Sequence, residues 1–190
     1  MLTRFLVLTV AIFAVVGISK SEPPQGWYLA GSSPNDYLAT SDSGISISGD
    51  TSAVLQSRSD TIQGFGTLMQ ATQSGRFNGK RVRFSAFVKT QGVSGRAGLW
   101  FRVDGTRSEV LGFDNMQDRP INGTTGWAPY SVVLDVSELA DAIAFGVLLS
   151  GKGKVWIDNA SFEVVDNSVP TTNIPDQQLP SVPINLDFEF

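Results

Sequence analysis

Histidine and cysteine are both absent from the 190 residues. Without histidine, imidazole acid–base catalysis, histidine-dependent triads and histidine metal sites are excluded. Without cysteine there is no disulfide, no thiolate nucleophile and no zinc–thiolate site. Catalysis would fall to carboxylates, Ser, Thr, Lys and Tyr, and no nucleophile motif assembles them. A glycosidase-like carboxylate pair such as Asp104 and Asp114 is the one enzymatic alternative, and the chain reads as a non-enzyme. Basic charge is also short, with 14 Lys and Arg against 18 Asp and Glu and a net charge of −4. Phosphate neutralisation needs a basic face, so nucleic acid is excluded as a partner. The length suits one domain with a proper core.

Long apolar runs are scarce too. Phe5 to Ile18 follows the basic start Met1–Arg4 and precedes Ser19-Lys20-Ser21 and Glu22-Pro23-Pro24. The run is shorter than the ~18 residues that read as a spanning helix. It predicts a signal peptide over 1–21 and an exported protein, periplasmic or secreted. An uncleaved anchor is the alternative, and the only route to a membrane partner.

From Gln25, turn residues separate short alternating runs. Gly44-Ile45-Ser46-Ile47-Ser48-Gly49 reads as a strand, as do Ser52–Ser57 and Gly64–Gln70. Asn78-Gly79 opens Lys80–Thr90, where Val82, Phe84, Ala86 and Val88 face one side and Arg81, Arg83, Ser85, Phe87 and Lys89 the other. Further on, Leu99, Phe101 and Val103 alternate with Trp100, Arg102 and Asp104. One face of that strand is wholly apolar; the other joins an indole, a guanidinium and a carboxylate, which a core does not need. Tyr130–Val136, Ile143–Leu149 and Lys154–Val165 complete the pattern. Many short strands without helical periodicity predict an antiparallel β-sandwich or barrel over 25–166. Residues 167–183, rich in Pro and Thr, read as a linker, and 184–190 as a strand folding back onto the sandwich.

Three stretches carry a resemblance. Gly79–Thr90, the closing Val155–Glu163 and the turn Gly49–Ala53 resemble the jelly-roll carbohydrate-binding modules of the galactose-binding-like superfamily, of the cellulose- and xylan-binding type. Gly98–Gly105 and Phe113–Pro120 are similar to a bacterial domain group of unassigned function, found alone or attached to peptidases and regulators. The resemblance covers Gly26 to Val165. It implies an antiparallel jelly-roll sandwich and a non-catalytic module for an oligo- or polysaccharide. It also implies a sugar groove at Phe87, with Lys89 and Arg83 on the same face, which Trp100 and Arg102 join depending on strand order. The group's first strand, of the type N-L-x-F-E, is displaced here to Asn185–Glu189.

The same resemblance implies a structural calcium held by Asp158, Glu189 and the region of Gly49-Asp50, the metal candidates being Asp158, Glu189 and Asp50. A bare surface carboxylate pair is the competing reading. Asp114, Asn115 and Gln117 join the ligand-binding candidates, because polar residues clustered in a connection serve binding or cap turns. For the opposite face a structural reading also stands, with Trp100 packed under a loop and Arg102 paired to Asp104 or Asp114. An extracytoplasmic structural or protein-interaction domain without a sugar site is the alternative function, with a protein as partner.

Overall fold

The computed structural model describes residues 22–59 and 61–173. The expected signal peptide, the C-terminal strand and most of the linker fall outside them, as does Glu189. Among the described residues no helix is long and apolar enough to cross a membrane.

Among the described residues nine strands run in chain order: β1 (Tyr28–Gly31), β2 (Tyr37–Asp42), β3 (Ser52–Ser57), β4 (Phe65–Gln73), β5 (Lys80–Gly105), β6 (Val110–Asp114), β7 (Ile121–Val136), β8 (Ala140–Ser150) and β9 (Lys154–Val165). Every pairing is antiparallel. β5 belongs to two sheets. Its first half lies between β7 and β9, and β9 continues through β3 to β2. Its second half lies between β8 and β6, and β8 continues through β4 to β1. We call these the back and front sheets; they face each other as the antiparallel sandwich expected from the alternation.

The core follows from the period of two along each strand. Val82, Phe84, Ala86 and Val88 point in from the back sheet, and Leu99, Phe101 and Val103 from the front, all buried. Phe84, Phe101, Phe145 and Phe162 bridge the sheets as a cage of rings, with Phe145 and Phe162 centroids 4.4 Å apart. Ile157 and Phe162 both reach that core although they lie five positions apart, an odd spacing that would put them on opposite faces of a regular strand. A bulge resolves this: the register shifts between Ser85 and Phe87, and Asn159 takes φ 49°. One extra residue restores the inward phase.

Two expectations change. Lys80–Thr90 and Ala97–Asp104 are not separate strands but the two halves of β5, and the second Asn-Gly, at Asn122-Gly123, lies inside β7 where that strand's pairing with β5 becomes irregular. Gly44–Gly49 is not a strand. Its Ile47 and Ser48 amides are taken by the Asp158 carboxylate, at 2.8 and 3.1 Å, in place of a strand ladder.

Residues after β9 do not leave the sandwich at once. Arg81, bidentate to Asp135, also donates to the Asn167 and Val169 carbonyls at 2.9 and 2.7 Å. Thr172 exchanges bonds with the Val133 backbone of β7.

Candidate functional site

The front sheet carries a groove of about 390 Å³ on its outer face. On β5 the outward phase is Arg96, Gly98, Trp100 and Arg102. Trp100 pairs across β8 with Gly146, and Gly146 pairs with Met69 on β4. The indole lies across β8: its Nε1 donates to Thr67 Oγ1 of β4 at 2.7 Å, and Thr67 donates on to the Val147 carbonyl at 2.9 Å. A residue with a side chain could not occupy position 146, because a Cβ there would fall 2.2 Å from the Leu68 carbonyl oxygen. Trp100 packs with Ala144, Leu148 and Met69 and is 7% exposed, so it forms the floor of the groove.

The walls carry exposed rings. Phe65 is 39% exposed and Phe113 is 45% exposed, and both line the groove. Phe113 sits directly across from Arg102 in the β5–β6 register. Phe65 shares a row with Ser150 and Arg96. The Arg102 Nε is shared between the two oxygens of Asp104, at 2.9 and 3.0 Å. Arg96 donates to the Asn115 carbonyl at 3.2 Å. Asn115 also lines an adjoining hollow of about 140 Å³ with Phe113, Asp114, Gln117 and Asp118.

The sequence candidates thus divide. Trp100, Arg102 and Asn115 meet in the groove, and Asn115, Gln117 and Asp114 meet in the hollow beside it. Arg83, Phe87 and Lys89 lie on the outer face of the back sheet and do not join them; Arg83 is paired to Glu163 at 2.9 Å. Trp100 is packed across β8 rather than under a loop, Arg102 is paired to Asp104, and both line the groove. Asp114 is buried and acts as a clamp. Its carboxylate accepts from the Met116 amide, Arg119 and Thr172, which ties the segment after β9 to this corner. Burial alone would lower the Arg119 pKa, but the bonds to Asp114 and Asp118 outweigh it and the pKa rises. Phe65, Phe113 and Arg96 are among the groove residues that sequence reasoning passed over, with Thr67, Met69 and Leu148 beside them.

Of the metal candidates, Asp158 lies beside the Gly44–Gly49 loop. Its oxygens already accept the Ile47, Ser48 and Asn159 amides, which a cation would have to displace. Asp50 is exposed, and the described residues include no group of three acidic side chains placed to hold a metal. The described part of the set does not fit a calcium ion, and no step below relies on one.

No protein-family model matches the chain. A Bacillus subtilis (strain 168) protein named as the uncharacterized HTH-type transcriptional regulator YbfP is 47% identical over 167 residues, 87% of this chain and 57% of that protein. The chain therefore spans little more than half the length of the curated relative it matches. Among solved structures, the CBM22-1 xylan-binding domain of Paenibacillus barcinonensis Xyn10C is similar with a TM-score of 0.56 at 13% identity, over 76% of this chain and 89% of that one. The C-terminal family 22 carbohydrate-binding module of Clostridium thermocellum Xyn10B gives 0.51 at 15% identity, over 74% and 86%. The fold is that of the carbohydrate-binding β-sandwich modules.

Proposed function

We propose that the front groove is the saccharide site of a non-catalytic binding module. One observation carries this reading: exposed Phe65 and Phe113 stand over an indole floor beside the polar groups of Arg96, Arg102 and Asn115. Sugar rings offer flat C–H faces that pack on aromatic rings, while their hydroxyls need fixed hydrogen-bond partners. The likeness to xylan-binding modules is in keeping with it. We propose further that the protein is exported, on the layout of its first 21 residues.

The likeness to a named transcriptional regulator favours a second setting for the same groove. There the domain would bind a small effector as one part of a regulator. It would belong with the domain group found alone or attached to regulators.

Tryptophan fluorescence titrated against a panel of soluble glycans tests the site. A saturable change that is lost in Phe113→Ala and kept in Phe87→Ala supports the reading. Silence across the panel transfers the proposal to a structural or protein-interaction domain.

A further inference from the structure

We infer that the groove selects an acidic saccharide, a chain bearing carboxylates on successive or near-successive sugars. The inference rests on the saccharide reading of this groove and adds the charge of the ligand.

The whole chain is acidic, yet the groove is lined by Arg96 and Arg102 and by no Asp or Glu. Three arginines outside the groove are committed to carboxylates, Arg81 to Asp135, Arg83 to Glu163, and Arg119 to Asp114 and Asp118, whereas Arg58, Arg76 and Arg107 form no ion pair among the described residues. Arg96 bonds no carboxylate among the described residues, only the Asn115 carbonyl. Arg102 meets Asp104 through Nε, and its two Nη groups make no hydrogen bond among the described residues. Two guanidiniums line the groove, and Asp104 is the one carboxylate bonded to either of them among the described residues, which leaves the groove locally cationic and suited to giving a ligand carboxylate paired bonds.

Position sharpens the ligand class. Arg102 has Phe113 directly across from it, on the adjacent strand. Arg96 has Phe65 in its own row, two strands away across Ser150. Each end of the groove therefore pairs a ring with a guanidinium, and the Trp100 indole lies between. The two arginines are six residues apart on one extended strand, so their Cα atoms lie about 20 Å apart. One small carboxylate could not engage both ends. A chain of uronate sugars could, each acidic unit stacking its ring on phenylalanine and presenting its carboxylate to the neighbouring arginine.

Calorimetric titration of the full protein tests this. The probes are galacturonate, mannuronate and guluronate oligomers and glucuronoxylan fragments, each beside its carboxyl-reduced counterpart. The expected result is affinity about tenfold or more higher for at least one acidic probe than for its reduced partner, as charge-assisted bonds imply. Arg102→Gln and Arg96→Gln should each remove most of that preference, and raising the salt from low to physiological strength should shrink it. Equal or better binding of the reduced probes overturns the acidic selection and leaves the saccharide reading standing. Binding of simple polycarboxylates as tightly as of uronate oligomers overturns the saccharide reading itself. Silence with every probe overturns both.

Discussion

The two halves of β5 show how one strand can serve two opposite purposes. Both alternate an apolar inward phase with a polar and aromatic outward phase. On the first half the outward groups are used up within the sheet: Arg81 is bidentate to Asp135, Arg83 bonds Glu163, and Ser85 bonds Ser161. On the second half the outward groups line an open groove, with only Arg102 tied to a carboxylate. Each sheet also lays one tryptophan flat across a neighbouring strand. Trp100 crosses β8 to bond Thr67, and Trp156 crosses β3 to bond Asp42 at 2.8 Å. Trp156 is 2% exposed and lines neither the groove nor the hollow beside it, whereas Trp100 is buried by Ala144, Leu148 and Met69 yet lines the front groove. The same residue chemistry becomes structure on one face and a candidate site on the other, according to what stands opposite.

The comparison can be broken most forcefully at the floor. Trp100→Ala should lower stability by about 3–5 kcal/mol, the range for deleting a buried large aromatic, and abolish binding. Phe87→Ala, on the half-buried back face, should cost under about 1 kcal/mol because it leaves little cavity, and leave binding intact. Chemical denaturation paired with titration separates the two. Thr67→Val should have a smaller effect. It leaves the indole N–H unpartnered, for a cost of about 1–3 kcal/mol, and should shift the Trp100 fluorescence. Arg83→Gln removes a surface ion pair and should change stability by no more than about 1 kcal/mol, with glycan affinity unchanged. Equal losses of affinity in Arg83→Gln and Arg102→Gln would erase the distinction between the faces.

The smallest expected effect is on pH. The Asp42 carboxyl is held below its usual range, first by the Trp156 indole N–H, and Asp135 likewise by Arg81. A lowered folded-state pKa gives stability that is present above the unfolded carboxylate value near ~4 and lost as the pH falls through the folded values. The melting temperature should therefore drop below about pH 4, and less steeply in Asp42→Asn. A melting curve that is flat down to pH 3 would count against these bonds.

Most of the sandwich was legible because alternation is a local signal. Leu99, Phe101 and Val103 could be assigned to the core, and Trp100 and Arg102 to the opposite face, from spacing alone. Arg96 carries the same phase as Arg102 and could have been found by extending that spacing. Phe113 alternates out of phase with buried Asp114 and could have been found likewise. The division between Phe87 and Trp100 was not legible. Both sit on outward phases of the same strand, and only the pairing of distant β7, β8 and β9 with its two halves puts them on different sheets. The Gly44–Gly49 loop alternates as cleanly as any strand. What prevents it from being one is the carboxylate of Asp158, 111 residues from Ile47 in sequence, which no local pattern reveals.

The indole N–H resonances offer the most direct test. The chain has four tryptophans, so a two-dimensional nitrogen–proton spectrum shows few, separable indole signals. Titration with the tightest saccharide found should move the Trp100 indole signal and the amides of Arg96–Arg102 and Phe113–Asn115. The Trp156 indole and the amides of Arg83–Lys89 should stay in place. Shifts confined to Arg83–Lys89, with Trp100 unmoved, would contradict the placement of the site on the front sheet.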